Sequence, residues 1–124
     1  MTQVSFNIYH NTKCSKSRKA LEILNSKTNN YDIIKYLENG INVVELNSIL
    51  SLNQISKNEI IRTNEIIFKE LNLPKNNLSK DEIVNSIIQF PILLQRPIVS
   101  KYVDNILIKS IIGRPPEKVL SLFD

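Results

Sequence analysis

Cys14 is the single cysteine of this 124-residue chain, and its neighbours favour a reactive thiolate. Lys13, Lys16 and Arg18 place three positive charges close to it in sequence. Positive charge and the free N–H groups of a helix N-terminus both lower the pKa of a thiol. The same N–H groups can bind an oxyanion. The pattern therefore predicts a nucleophile in an anion-binding loop, and the alternative is a small, buried, apolar cysteine.

The spacing around Cys14 excludes two other kinds of site. A phosphatase-type loop needs an arginine six residues after the cysteine, where this chain has Ala20. A dithiol redox site needs a second cysteine three residues on, where the chain has Ser17. With one cysteine, neither an internal disulfide nor a Cys-rich metal site can form, and we expect no metal. An oxidised Cys14 must then be regenerated by a thiol from another molecule, such as glutathione or a glutaredoxin.

Three elements must position this loop. The alternating apolar residues of Val4–Tyr9 predict a first β-strand. Residues Ser15–Asn25 have helical spacing, and we expect Ser15 to be the N-cap. Tyr31–Tyr36 is a second short apolar run and predicts a second strand. Strand, helix and strand imply a parallel pair joined by a crossover, with Cys14 where the first strand's exit loop becomes a helix.

The rest of the chain changes periodicity twice. From Asn42 to about Phe90 the apolar spacing is helical, and we predict helices near 44–52, 59–71 and 79–89. Ser79 and Glu82 have the spacing of a capping box. After Pro91 come two short runs that predict closing strands, and then a proline-opened helix over Pro115–Phe123. The fold class is α/β: a thioredoxin-like fold with a mixed four-stranded sheet and a helical insertion over about 42–90.

Composition limits the possible partners. With 42% hydrophobic and 23% charged residues, the chain suits one packed domain over residues 1–124. The net charge of +4 comes from basic residues spread along the chain and interleaved with acidic ones, so we expect no nucleic acid partner. No apolar run approaches the roughly 20 residues that span a bilayer, and no leader pattern opens the sequence. We expect a cytoplasmic monomer without a membrane partner.

Five short motifs, taken in order, resemble one family. They are Ile8-Tyr9-His10-Asn11, Cys14-Ser15-Lys16-Ser17-Arg18, Phe90-Pro91-Ile92-Leu93, Gln95-Arg96-Pro97-Ile98-Val99 and Ile112-Gly113-Arg114-Pro115-Pro116-Glu117. Together with Tyr36-Leu37-Glu38 and Ile61-Arg62-Thr63 they cover nearly the whole chain. This set is similar to the glutaredoxin-coupled arsenate reductases, a family that also includes the Spx regulators.

The resemblance implies a reaction and assigns residues to it. Cys14 would attack arsenate, release water and form a Cys–arsenate adduct, which glutathione and glutaredoxin would reduce to arsenite. Arg62, Arg96 and Arg114 would bind the oxyanion, a role that suits guanidinium groups because they donate paired hydrogen bonds to tetrahedral anions. No cofactor would be bound, and glutathione would act as an external thiol co-substrate. We expect Arg62 to lie on a helix within pairing distance of Glu59 and Glu65.

The resemblance also implies supporting residues. Pro97 is expected to be cis and to face Cys14, the alternative being a trans proline that opens an edge strand. His10 would favour the thiolate as a cation, or else serve as a structural histidine at the strand end. Asn11 is expected to shape the loop through its side chain. Ser15, Ser17 and Arg18 complete the loop that surrounds the sulfur.

Two departures from the family pattern leave alternatives open. The loop reads Cys-Ser-Lys-Ser-Arg where established arsenate reductases usually carry Gly and Thr, so the substrate is expected to be arsenate or a similar oxyanion. The interval Ser100 to Ile112 looks longer than the usual hairpin before Arg114. An Spx-like regulator that binds RNA polymerase is an alternative function, although Ser17 removes the second thiol of its switch. A monothiol thioltransferase is another.

Overall fold

The structure is a computed structural model that describes residues 2–124. Its four strands are β1 (Val4–Tyr9), β2 (Tyr31–Ile34), β3 (Ile98–Val103) and β4 (Ile106–Ile112). Its α-helices are α1 (Ser15–Lys27), α2 (Tyr36–Asn39), α3 (Val43–Ser51), α4 (Lys57–Ile60), α5 (Ile66–Glu70) and α6 (Lys80–Gln89). Two 3₁₀ helices cover Pro91–Leu93 and Pro116–Phe123. No helix among these residues is long and apolar enough to cross a membrane.

The strands form one mixed sheet in the order β2-β1-β3-β4. Strand β1 pairs in parallel with β2, where Ile8 lies opposite Ile33, and antiparallel with β3, where Ile8 lies opposite Val99. Helix α1 provides the crossover that a parallel pair requires. The predicted β-α-β unit and the mixed four-stranded sheet are confirmed, and this topology is that of a thioredoxin-like fold. Strand β2 ends two residues earlier than predicted because Tyr36 starts α2.

The two faces of the sheet bury separate cores. On one face, Phe6 and Ile8 of β1 pack with Ala20 and Leu24 of α1 and with Val119 of the last 3₁₀ helix. On the other face, Tyr9 and Ile98 pack with residues of α3 and α6, all in one buried cluster. The hydroxyl of Tyr9 donates a 2.7 Å hydrogen bond to Glu45 Oε2, which links β1 to α3. Helix α1 is thus held on the sheet by its own apolar face, and this fixes the position of its N-terminus.

The prediction of one helix over residues 59–71 is wrong. The chain forms two short helices there, α4 and α5, because the residues around Ile61 pair with a distant segment instead. Ile61 and Leu94 form an antiparallel bridge. The N–H of Arg62 donates to the Leu93 carbonyl at 2.7 Å, and the N–H of Gln95 donates to the Ile60 carbonyl at 2.8 Å. Arg62 therefore lies in an extended segment that runs alongside residues 93–95.

The predicted helices at the two ends of the insertion are present. Helix α3 covers most of 44–52, and α6 begins with the expected capping box, in which Ser79 and Glu82 bond reciprocally. The last predicted helix, Pro115–Phe123, is a 3₁₀ helix that starts at Pro116. Its Lys118 lines the same cleft as Arg114, so this terminal element closes one side of the site described below.

The interval Ser100 to Ile112 contains no added loop. Its residues belong to β3 and β4, joined by a turn in which Asp104 and Asn105 have positive φ angles of 51° and 66°. The register between the strands shifts once, between Lys101 and Tyr102. A buried pair, Ser100 and Ser110, joins the strands through hydroxyl groups 2.8 Å apart. The apparent extension is a regular hairpin with one irregularity, and it leads directly into Arg114.

Candidate active site

Cys14 is the N-cap of α1, so the predicted place of the thiol at the start of this helix is confirmed. The expectation that Ser15 caps the helix is wrong: Ser15 is its first residue and is exposed, and Cys14 holds the extended conformation of a cap, with φ −97° and ψ 121°. The Cys14 side chain makes no capping hydrogen bond. Its sulfur therefore lies at the end of the helix where backbone N–H groups have no carbonyl partner within the helix.

These surroundings lower the pKa of the Cys14 thiol. Partial burial acts in the opposite direction and is the largest single effect, because it disfavours the charged form. The N–H of Ser17, the guanidinium of Arg96 by hydrogen bond and by charge, and the N–H of Lys16 together outweigh it. Cys14 is half-buried, so the thiolate is both stabilised and accessible. This is the setting of a nucleophile and not of a structural cysteine.

A buried hydrogen-bond network holds the loop before Cys14. The N–H of Asn11 donates to Ser17 Oγ at 3.0 Å, and the N–H of Lys13 donates to Asn11 Oδ1 at 2.9 Å. Asn11 thus shapes the loop through its side chain, as predicted. The carbonyl of Asn11 also accepts the N–H of Cys14 at 3.1 Å. Ser17 is fully buried and acts as the centre of this network.

His10 is the buried end of the same network. Its Nδ1 lies 2.7 Å from Ser17 Oγ, and which of the two donates depends on the tautomer. The pKa of His10 is lowered by burial first, and then by the positive charges of Lys35 and Arg18. A lowered pKa disfavours the imidazolium cation. It agrees better with the alternative expectation, a structural histidine at the end of β1.

Arg18 stabilises the loop and does not enter the arginine cluster. Its Nη1 donates to the Thr12 carbonyl at 2.9 Å, so its charge is fixed on the outer side of the loop. Like Ser15, Arg18 is exposed. Among the residues that the sequence placed around the sulfur, Ser17 and Asn11 build the loop, and Arg18 ties it down from outside.

Three arginines, Arg62, Arg96 and Arg114, converge on one cleft of about 650 Å³. The Nη1 of Arg114 donates to the Arg96 carbonyl at 3.2 Å, which joins these two residues directly. Arg62 comes from the extended segment opposite, where its Nη1 lies 2.7 Å from Glu65 Oε1. Burial lowers the pKa of Arg62, and so do the charges of Arg96 and Arg114. Three cationic side chains that line one cleft favour the binding of an anion there.

Arg96 connects this cleft to Cys14. Its guanidinium lines the cleft and also lowers the pKa of the Cys14 thiol. Its Nε and Nη1 atoms are buried without a hydrogen-bond partner among residues 2–124. Buried donors without partners are uncommon, because each lacks the hydrogen bond that water would supply. Two donors of this guanidinium thus have no partner in the described residues, and the same side chain lines the cleft.

Pro97 has the cis peptide bond that the resemblance implies, and Arg114–Pro115 is a second cis bond that was not expected. Gly113 makes close packing on Pro97 possible. A Cβ on Gly113 would lie 2.9 Å from Pro97 Cγ and 3.3 Å from Ala20 Cβ, and the Gly113 N–H donates to the Pro97 carbonyl at 2.8 Å. Gly113 therefore fixes the distance between α1, Pro97 and the chain that carries Arg114.

Tyr36 is a residue of the site that was not predicted from the sequence. Tyr36 is 1% exposed, and its pKa is raised to about 12, chiefly by burial. The charges of Arg96 and Arg62 oppose this rise in pKa, and the charge of Cys14 adds to it. Its phenol thus lies within reach of the charges of all three. One signal was available, because Tyr36 follows β2 and His10 follows β1, and the carboxyl ends of parallel neighbours lie at the same edge of a sheet.

Fold and site together define a class of protein: a thioredoxin-like domain with a single activated thiol beside a cleft of arginines. Residues 9–122 match the ArsC family, and the chain belongs to that family. Both the predicted family resemblance and the thioredoxin-like fold are confirmed.

Several relatives are similar over nearly their whole length. An uncharacterised Escherichia coli K12 protein, YfgD, is 39% identical over 116 residues, which are 93% of each chain. An arsenate reductase of Haemophilus influenzae is 38% identical over 118 residues, covering 93% of this chain and 96% of that protein. The structure of an arsenate reductase from Vibrio cholerae superposes with a TM-score of 0.79 at 38% identity, covering 96% of this chain and 98% of the other.

Proposed function

We propose that this protein is an arsenate reductase that works through a Cys14–arsenate adduct, discharged by glutathione and glutaredoxin. The observation that carries the proposal is the position of Arg96, whose guanidinium both lowers the pKa of the Cys14 thiol and lines the arginine cleft. Relatives named arsenate reductase at 35–38% identity support arsenate as the substrate. The proposal assigns the oxyanion to Arg62, Arg96 and Arg114.

In the first step the Cys14 thiolate attacks arsenic(V) and forms an S–As bond. One arsenate oxygen leaves as water and takes up two protons. The guanidinium groups, together with Lys118, favour binding of the arsenate anion beside the thiolate even though Glu65 pairs with Arg62. The proposal gives Arg96 the further role of orienting sulfur and arsenate toward each other.

The second step needs electrons from outside the chain. Reduction of arsenic(V) to arsenic(III) consumes two electrons, which two thiols supply when they become a disulfide. Cys14 is the only cysteine, so these thiols belong to glutathione and glutaredoxin. Over a full cycle, arsenate and two thiols give arsenite, one disulfide and one water. We propose that the protein acts in the cytoplasm, where such thiols are kept reduced.

The direct test is steady-state arsenite release with purified protein, glutathione and glutaredoxin. We expect many turnovers per protein molecule. Cys14→Ser should abolish them while leaving the thermal unfolding temperature nearly unchanged, because a hydroxyl is similar in size and a far poorer nucleophile. Arsenite release by Cys14→Ser at the wild-type rate would contradict the proposal.

The choice of reductant tests the monothiol cycle separately. Thioredoxin resolves protein disulfides, and this chain cannot form an internal one, so thioredoxin alone should support little turnover. Glutathione with glutaredoxin should restore it at the same protein concentration. Sustained arsenite release with thioredoxin alone would overturn the external-thiol part of the proposal and leave arsenate reduction itself intact.

A further inference from the structure

A second cavity, of about 210 Å³, is lined in part by the loop that leads to Cys14. It is lined by the loop after β1, including Asn11 and Lys13, and by the residues after β2, including Lys35, Leu37 and Glu38. The two cavities share no lining residue. Its lining includes Thr12 and Lys13, the two residues that precede Cys14 in the chain, and none of the three arginines.

The charges around this cavity have a specific pattern. Lys13 and Lys35 contribute two positive charges and Glu38 one negative charge, and all three side chains are exposed. Neither of the ion pairs found among residues 2–124 includes any of them. Lys35 and His10 both line the cavity, and the charge of Lys35 contributes to the lowered pKa of His10. Leu37, 46% exposed, adds an apolar surface.

We infer that this cavity binds glutathione, with Lys13 and Lys35 on its two carboxylates and Glu38 on its ammonium group. Glutathione carries two carboxylates and one ammonium at neutral pH, and the cavity carries the opposite set. Its central thiol would then lie between the charged ends, beside Cys14. This inference rests on the proposed function for its place in the cycle: the two cavities are lined by different residues, so an anion held by the arginines would not occupy this one.

The test uses thiol exchange without arsenate. The Cys14 thiolate attacks one sulfur of oxidised glutathione, forms a Cys14–glutathione disulfide and releases a glutathione thiolate, so electrons balance without a further reagent. Mass spectrometry follows the mixed disulfide. The reference reagent is 2-hydroxyethyl disulfide, which is neutral and reports only on the reactivity of the thiolate.

Lys13→Ala/Lys35→Ala should slow the reaction with oxidised glutathione about 2- to 25-fold, since each exposed contact contributes a factor of about 1.4 to 5. The rate with 2-hydroxyethyl disulfide should change much less. Lys19→Ala/Lys27→Ala removes the same charge from exposed positions of α1 and is the matched control. Equal slowing by both double variants would overturn the inference.

Glu38→Gln distinguishes a specific contact with the ammonium group of glutathione from nonspecific attraction of its negative charge. Removing a negative charge should speed the reaction of an anionic disulfide if only net charge matters. If Glu38 contacts the ammonium of glutathione, the same substitution should slow it about 1.4- to 5-fold. A faster reaction would overturn the assigned site. Because no readout contains arsenate, an inactive arsenate assay with these rates as expected would refute the proposed function and leave the glutathione site standing.

Discussion

Replacing Arg96 by methionine should stabilise the fold while removing the response to an oxyanion. Nε and Nη1 of Arg96 are buried without hydrogen-bond partners among residues 2–124, so the fold contains two unsatisfied donors. Methionine keeps an unbranched aliphatic stem and removes both donors. The substitution is best made in a Cys14→Ser background, because the Arg96 charge also stabilises the thiolate and its loss would otherwise act through Cys14.

The expected increase in the free energy of unfolding follows from the removal of the two unsatisfied donors. A buried unsatisfied group costs about 1–3 kcal/mol, so two could reach about 6. Arg96 is only half-buried, and both nitrogens belong to one delocalised cation, so we take about 1–3 kcal/mol for the pair. Removing a third cation from the cluster acts in the same direction. For a chain of this size, each kcal/mol corresponds to about 4 °C in the unfolding temperature, which gives a rise of about 4–12 °C.

Thermal unfolding with and without inorganic phosphate measures both effects. In anion-free buffer, Cys14→Ser/Arg96→Met should have a higher unfolding temperature than Cys14→Ser. Phosphate at about 100 times its dissociation constant should stabilise Cys14→Ser by about 2.7 kcal/mol and the double variant far less. Arg62→Met is the control, because Arg62 is already bonded to Glu65 and its removal should give no stabilisation.

The reasoning fails under either of two results. One is an unfolding temperature of the double variant that lies more than about 4 °C below that of Cys14→Ser in anion-free buffer. That result would mean that the Arg96 donors are satisfied in solution. The other is an equal response of both proteins to phosphate, which would place the anion elsewhere.

Three further predictions concern single groups. Iodoacetamide alkylation against pH should give Cys14 a pKa below that of a free cysteine thiol, and Arg96→Met should raise it; no change would remove Arg96 from the site. Arg96→Lys and Arg114→Lys keep the charge and lose the paired donors, so arsenite release should fall about ten-fold or more, and unchanged kinetics would exclude both from anion binding. Gly113→Ala should lower the free energy of unfolding in urea by about 1–3 kcal/mol, because the new methyl group meets Pro97; an unchanged value would show that this contact relaxes freely.

The parts of the fold that local pattern determines were predictable. Alternation in Val4–Tyr9 and helical spacing after Cys14 place the thiol at the start of a helix, and both agree with the structure. The arginine cleft was harder to predict from the sequence. Ile60 and Ile61 suit a helix as well as an extended segment, and the choice depends on Leu94, more than thirty residues away. Arg62 was therefore expected on a helix surface, whereas nonlocal pairing brings it to Arg96.

The charge state of His10 was unpredictable for a related reason. A histidine near a thiol in sequence suggests a cation, but its pKa depends on burial and on Lys35, which reaches it only once β2 lies beside β1. Tyr36 was missed because a tyrosine after a strand has no distinctive motif. Its importance comes from the charges around it, and these are assembled by three separate segments.

Ser17 limits how this chain could evolve an internal disulfide. Replacing it with cysteine would supply the missing second thiol in one substitution. The new sulfur would be buried where an oxygen now accepts the Asn11 N–H and contacts His10, and sulfur is larger and a weak acceptor. The loop that positions Cys14 would lose its central bonds at the moment it gained a partner thiol. The packing of the loop thus favours dependence on an external thiol. A chain that gained a cysteine at position 17 would also need substitutions at His10 or Asn11.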